Sequence, residues 1–96
     1  MTIVILPSAR DDLVCGFGFY EQQGQGLGTF FLESLFSDID SLKLSAGIHR
    51  KVFGYHRLLS KRFPFAVYYS AERETAMVRA VLDCRRAPAW IRDRPK

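Results

Sequence analysis

Residues Arg62–Tyr69 (RFPFAVYY) and Thr75–Cys84 (TAMVRAVLDC) are two apolar runs joined by the charged connection Ser70–Glu74 (SAERE). Both runs are rich in the β-branched and aromatic residues that favour strands, so the segment predicts a β-hairpin. Pro64 has no N–H and fits the start of its strand or a sheet edge. If side chains alternate strictly along the second run, one face of the strand is apolar and buried, and Arg79 points to the other face. The apolar face is predicted to consist of Ala76, Val78, Ala80, Leu82 and Cys84.

The N-terminal segment predicts a short strand followed by a helix. Thr2–Leu6 is β-branched and is closed by Pro7. Ser8 is placed to cap the helix, and Asp11 and Asp12 then fall in its first turn, where the helix dipole favours negative charge. Apolar residues recur along this helix at the spacing of one buried stripe. They are Ala9, Leu13, Phe17 and Tyr20.

The middle of the chain predicts a second helix and a further strand. Gly24–Gly28 (GQGLG) interrupts the helical pattern, and because no strand precedes it, we interpret it as a link between two antiparallel helices rather than a phosphate loop. The second helix is expected from about Leu27 to Leu44, and a strand from about Tyr55 to Leu59. The apolar stripe of this helix is predicted to comprise Leu32, Leu35, Phe36, Ile39 and Leu42.

The resulting order, β-αα-βββ, predicts an α+β fold in which a helical hairpin packs on one face of a small, mostly antiparallel sheet. Ninety-six residues with 48% apolar side chains are enough for a single domain, residues 1–96. The tail from about residue 91 has no apolar period, so it is expected to fray or to form a short helix that orders on binding.

Cellular location and ligands can also be anticipated. No apolar run approaches the roughly 20 residues needed to span a bilayer, and no signal peptide is visible. We therefore expect a cytoplasmic location and no membrane partner. Cys15 and Cys84 lie in apolar patterns without a second ligand at metal spacing. We therefore predict that both are reduced core residues, and we expect no metal and no cofactor.

The two halves of the chain differ in charge. Residues 1–48 carry two cationic side chains against six carboxylates, whereas residues 49–96 carry twelve against four. A strongly basic half suggests an anionic partner, either nucleic acid or an acidic protein segment. A solvated face with no partner remains the alternative.

Several motifs spread from about Ile3 to Arg94 together resemble one known family. They are Tyr20–Gln23 (YEQQ) with Gly26–Gly28 and Phe31, His56–Leu59 (HRLL), Arg62–Tyr69 and Ala80–Pro88 (AVLDCRRAP). In this order and at these spacings they resemble the RelE/ParE family of toxins from type II toxin–antitoxin systems, also described as plasmid stabilisation proteins. The resemblance implies the same β-αα-βββ fold.

The resemblance further implies a bacterial growth inhibitor that a small antitoxin holds inactive by wrapping it with a C-terminal segment. ParE-like members poison DNA gyrase, whereas RelE-like members cut messenger RNA on the ribosome. Because both branches share the fold, they can be distinguished only by the residues of the functional site. The basic half favours an antitoxin segment that is acidic and amphipathic and binds the open sheet face as a helix or an added strand.

The sequence departs from the ribonuclease branch at three positions. Ala66 stands where that branch commonly has arginine, and the exit motif His-x-x-Arg-Asp-Pro has Asp83 for its histidine and Ala87 for its aspartate. These departures favour a non-catalytic, ParE-like toxin directed at gyrase. The alternatives are a RelE-like, metal-independent endoribonuclease and a decayed, non-toxic binding module.

If the chain is an enzyme, the candidate catalytic residues are Arg86, His56 and Arg57. Arg86 is the exit-motif cation that the family pattern retains, and histidine changes charge near neutral pH. The candidate residues for binding a protein target or nucleic acid are Lys61, Arg62, Arg79 and Arg85. Each has a structural alternative: Arg86 can pin the tail, and His56 can serve in packing. Asp83 is expected to form an ion pair with Arg85 or Arg57, and Trp90 to stack on a base or pack under the tail.

Overall fold

The structure, a computed structural model, describes all residues 1–96 and has the predicted α+β architecture. Its strands are β1 (Thr2–Ile5), β2 (Lys51–Val52), β3 (Tyr55–Leu59), β4 (Phe65–Glu72) and β5 (Thr75–Asp83). Its helices are α1 (Pro7–Gln23), α2 (Leu27–Asp40), α3 (Leu42–Ser45) and α4 (Pro88–Asp93). None of these helices combines the length and the apolar character needed to cross a membrane.

The five strands form one sheet in the order β1-β5-β4-β3-β2. Strand β1 is parallel to β5, and the other neighbours are antiparallel. Helices α1 and α2 form the predicted hairpin, with Gly24–Gly26 as the link, and their apolar stripes cover one face of the sheet. Strand β3 spans the predicted residues, whereas the β4–β5 turn is tighter than predicted and contains only Arg73 and Glu74.

The prediction that one face of β5 is apolar along its whole length is wrong, because the strand contains a β-bulge. Tyr69 pairs with Val78 and Tyr68 pairs with Ala80, which leaves Arg79 as an extra residue without a partner on β4. An extra residue reverses the alternation of side chains beyond it. Val78 and Val81 consequently both pack in the main core under the helices, whereas Ala80 lies on the opposite face.

The start of α1 also differs from the prediction. The helix begins at Pro7, so Ser8 does not cap it, and neither Asp11 nor Asp12 lies in its first turn. The N–H of the first helical residue has no acceptor within the helix. Proline, which lacks an N–H, is therefore well suited to this position. The Ser8 hydroxyl instead donates a hydrogen bond to the Arg79 carbonyl, at 3.0 Å.

The helical hairpin is packed more closely than the stripe patterns indicated. A side chain at Gly16 would overlap the ring of Phe31, which is fully buried although the predicted stripe omitted it. Phe36, which that stripe included, is 46% exposed. The predicted second helix is also divided, because α2 ends at Asp40 and the separate turn of α3 follows.

The two cysteines are not core residues. Cys15 and Cys84 are both free and exposed, so the prediction of burial is wrong for each of them. Alternation failed at Cys84 because it follows the last residue of β5. Cys15 lies on α1 beside the buried Gly16, outside the predicted apolar stripe.

The C-terminal residues form the short helix α4, which packs on the face of the sheet away from the helical hairpin. Ile91 is 6% exposed and joins a second, smaller core with Ala66, Tyr68, Ala80 and Leu82. Burial of one large aliphatic side chain contributes about 1.5–3 kcal/mol, so Ile91 holds α4 against the sheet.

The glycines of α1 provide a test of the hairpin packing. We expect Gly16→Ala to lower the free energy of unfolding by about 1–3 kcal/mol, because its methyl group would push against the buried Phe31 ring. Gly18→Ala is the matched control, since no atom lies within 4 Å of the added carbon. This control should stabilise the protein by up to about 1 kcal/mol. Urea denaturation measures both, and equal effects of the two substitutions would contradict the packing.

Candidate interaction face and C-terminal cleft

The face of the sheet turned away from the helical hairpin, called the open face here, carries two of the predicted cationic residues. Arg57 on β3 lies directly opposite Tyr68 on β4, and its guanidinium lies beside the Tyr68 hydroxyl. Burial raises the pKa of Tyr68, and the neighbouring Arg57 only partly offsets that rise. The phenol is therefore held neutral, as a hydrogen-bonding group rather than a base.

Arg79, the unpaired residue of the bulge, lies on the same face. Its Nε donates a hydrogen bond to the Ser70 hydroxyl at 3.1 Å, and its guanidinium carbon lies 5.3 Å from the centre of the Tyr55 ring. The open face thus carries two cations, Arg57 beside the Tyr68 hydroxyl and Arg79 beside the Tyr55 ring.

His56 is on the opposite side of the sheet from Arg57, because successive side chains of a strand point to opposite faces. Its ring stacks on Tyr69 with centroids 5.1 Å apart, and Tyr69 belongs to the core under the helices. Its Nδ1 donates to the His49 carbonyl at 2.6 Å. The structure therefore does not bring together the three candidate catalytic residues.

His49, which the sequence analysis did not single out, completes a polar network with His56. The Tyr69 hydroxyl accepts a hydrogen bond from the Gly47 N–H at 2.9 Å and forms a second hydrogen bond with Nδ1 of His49. Burial, followed by the nearby His56, lowers the pKa of His49. When Nδ1 of a neutral His49 carries no hydrogen, it accepts a hydrogen bond from the Tyr69 hydroxyl, and this network ties the segment before β2 to the sheet.

A second candidate site is the cleft of about 580 Å³ between α1, the end of β5 and α4, called the C-terminal cleft here. Arg86 lies in this cleft with its guanidinium carbon 3.9 Å from the centre of the Trp90 ring. Arg94 lies 5.4 Å from the same ring and forms an ion pair with Asp12. Trp90 therefore packs under two arginines of the C-terminal segment, which agrees with the packing alternative for this residue.

Asp12 is the buried polar residue of this cleft, and only 9% of its surface is exposed. One carboxylate oxygen accepts the Val81 N–H at 3.0 Å, and the other meets Arg94. Burial raises the pKa of Asp12 more than the Val81 N–H and Arg94 lower it. No local sequence signal indicates this contact, because Asp12 and Val81 are far apart in the chain.

The remaining predicted residues lie elsewhere. Arg85 is engaged by Asp83 as expected, through its Nε at 2.9 Å and a second guanidinium nitrogen at 2.7 Å, and these hydrogen bonds lower the pKa of Asp83. Arg62 extends over the exposed ring of Phe30 on α2, at 5.9 Å from its centre. Lys61 is exposed in the loop before β4. The candidate binding residues therefore do not share one surface: Arg79 lies on the open face, Arg62 over α2, and Arg85 beyond the end of β5.

Comparison with known proteins defines the fold. The chain is similar to a chain of the chromosomal ParDE TA system from P. aeruginosa, with a TM-score of 0.75 and 16% sequence identity over 84% of this chain and 92% of that chain. No family model matches the sequence, and no curated protein is similar to it. The resemblance to RelE/ParE toxins is thus confirmed at the level of the fold.

The Asp12 contact predicts a difference between two substitutions. Asp12→Ala leaves the buried Val81 N–H without an acceptor, so we expect the free energy of unfolding to fall by about 1–3 kcal/mol. Asp12→Asn keeps an oxygen acceptor and should cost clearly less. Chemical denaturation of both variants measures this difference, and equal losses would show that the hydrogen bond to Val81 contributes nothing.

The lowered pKa of His49 predicts how stability depends on pH. Because protonation is disfavoured in the folded state, the unfolded chain binds more protons as the pH falls through the ordinary value of 6.5. The free energy of unfolding should therefore be higher at pH 7.5 than at pH 5.5. His49→Asn keeps an acceptor near Nδ1 but does not titrate, so it should reduce this dependence. An unchanged dependence in the variant would contradict the assignment.

Proposed function

We propose that this chain is the toxin component of a type II toxin–antitoxin system and that it inhibits bacterial growth by a ParE-like action on DNA gyrase. The shared fold with a chain of the ParDE system supports the toxin–antitoxin assignment. The sequence motifs that resemble RelE/ParE toxins support it independently of the fold. The choice between a ParE-like and a RelE-like activity rests on the residues of the candidate site, because the two branches share the fold.

The separation of His56 from Arg57 and Arg86 is the observation that carries the gyrase proposal. Ribonuclease chemistry of this family requires a proton-transfer group and several cations around one phosphate. Here His56 stacks on the core residue Tyr69 and lines a small pocket of about 280 Å³ with Arg79, whereas Arg57 occupies the open face. Arg86 lies over Trp90 in the C-terminal cleft. This arrangement favours contact with a protein surface over cleavage of RNA.

A RelE-like, metal-independent endoribonuclease is the second candidate, and one contact favours it. The Arg57 guanidinium beside the Tyr68 hydroxyl pairs a cation with a group that could transfer a proton. The raised pKa of Tyr68 argues against its use as a base near neutral pH, although the neutral phenol can still donate a proton.

The partner in this proposal is a small antitoxin whose C-terminal segment is acidic. The excess of twelve cationic side chains over four carboxylates in residues 49–96 supports an acidic partner. Opposite charges at an interface speed association and fix its register more than they raise affinity. The complex would form in the cytoplasm, where gyrase acts.

Induction of the chain in a bacterium tests the proposal. Incorporation of thymidine and methionine is followed side by side over the first minutes, and purified protein is assayed for inhibition of gyrase supercoiling. We expect DNA synthesis to fall first and supercoiling to be inhibited. An earlier fall of translation, with cleavage of ribosome-bound message, would support the nuclease instead. If neither synthesis falls, the chain is not toxic in that host and the decayed-module alternative is favoured.

A matched pair of variants adds a test of mechanism. Arg79→Gln removes one cation from the open face, and Arg10→Gln removes one from the exposed surface of α1. For a binding surface, we expect Arg79→Gln to weaken gyrase inhibition by roughly tenfold or less, as for one charged contact among several, and Arg10→Gln to have no effect. Loss of activity by several orders of magnitude with Arg79→Gln would indicate transition-state stabilisation and thus an enzyme.

A further inference from the structure

The small pocket that Arg79 lines lies near the β2–β3 and β4–β5 turns and is called the strand-end pocket here. Its volume is about 280 Å³, and its walls include Gly54 in the β2–β3 turn and Glu72, the last residue of β4. It shares no lining residue with the C-terminal cleft. Its residue Ser70 lies four positions along β4 from Ala66, which is about 13 Å at the rise of a strand. The strand-end pocket is therefore separate from the cleft and from the position where the ribonuclease branch has arginine.

The guanidinium of Arg79 is held in position before any ligand binds. The side chain is half-buried, its Nε donates to the Ser70 hydroxyl, and its guanidinium lies over the Tyr55 ring. These contacts leave the two terminal nitrogens unused, and Arg79 forms no ion pair with a carboxylate of this chain. Removal of a charge from water costs free energy that an opposite charge offsets. Arg79 thus presents a fixed cationic group that an anion would stabilise.

The strand-end pocket has an excess of positive charge. Lys51 on β2 is its second cation, and it too forms no ion pair. Glu72 is the one carboxylate that lines the pocket, and it is paired with neither cation. His56 also lines the pocket, with its Nδ1 engaged by the His49 carbonyl. Two cations against one carboxylate favour an anionic ligand.

The size and the donors of the pocket select a phosphate group. The volume of about 280 Å³ lies just below the range of about 300–1,000 Å³ that is usual for ligand pockets, so it suits one polar group better than a whole nucleotide. A guanidinium binds two oxygens of an anion at once, and a lysine ammonium can bind a third. A phosphate monoester offers three such oxygens and a charge of about −1.5 to −2, whereas a carboxylate offers two oxygens and a single charge.

We propose that the strand-end pocket binds the phosphate group of a small molecule, either inorganic phosphate or a phosphate monoester. Arg79 binds two oxygens through its terminal nitrogens, and Lys51 binds the third. Glu72 repels the ligand and so limits its affinity. The proposal does not depend on the assignment of the chain as a toxin, because it rests only on the residues of the pocket.

Titration of the isotope-labelled full chain with inorganic phosphate tests this site by nuclear magnetic resonance. Sodium chloride keeps the ionic strength constant, so that general screening is not mistaken for binding. We expect saturable shifts of the Arg79 Nε–H and the Ser70 amide at millimolar phosphate, and far weaker binding of acetate. Glycerol phosphate distinguishes the two sources, since tighter binding than that of inorganic phosphate identifies a monoester as the ligand. Absence of saturable shifts with both phosphates, or equal binding of acetate, would overturn the proposal.

Substitutions in and beside the pocket provide the matched comparison. Arg79→Gln should weaken phosphate binding about tenfold or more, because it removes a charge-assisted contact. At the exposed positions, Lys51→Gln should also weaken binding, whereas Glu72→Gln should strengthen it by removing the repulsion. Arg73→Gln is the control, since it removes the same charge from the β4–β5 turn outside the pocket and should leave binding unchanged. Equal effects of the Arg79 and Arg73 substitutions, or weaker binding with Glu72→Gln, would contradict the site.

Discussion

The constraint on which this structure depends is the unequal length of β5 and its parallel neighbour β1. Backbone groups on the uncovered part of β5 cannot remain buried without partners, because each would cost the free energy of a lost hydrogen bond. Ser8 and Asp12 provide those partners and so fix where α1 lies along the sheet. Asp12 also holds Arg94, which connects α1 to the C-terminal segment.

The bulge at Arg79 extends the same constraint to the two faces of the sheet. One extra residue moves Val81 under the helices and Ala80 to the opposite face, so both cores draw on a single strand. The Arg79 side chain itself lies on the open face beside Tyr55. The smaller core that anchors α4 therefore follows from one irregularity of β5.

The fold was predictable from local patterns, whereas the sites depend on contacts that such patterns do not contain. β-branched and aromatic runs predicted four of the five strands, including the bounds of β3, but not the two-residue β2, and glycines predicted the link between α1 and α2. The roles of Asp12 and of the His49–Tyr69 pair were missed because each joins residues distant in sequence. The bulge was missed because period-two alternation assumes that no residue is inserted. The Asp83–Arg85 ion pair, two residues apart, was one of the two pairings anticipated for Asp83.

Native-state hydrogen exchange at β5 tests the central claim most directly, since protection of an amide reports the free energy of opening its hydrogen bond. If Asp12 replaces a strand partner, the Val81 amide should exchange about as slowly as that of Ala80, which lies within the β4–β5 ladder. The Asp83 amide, on the same edge and facing the C-terminal cleft, should exchange much faster. Rapid exchange at Val81, matching that at Asp83, would contradict the account, because α1 would then lie beside β5 without completing it.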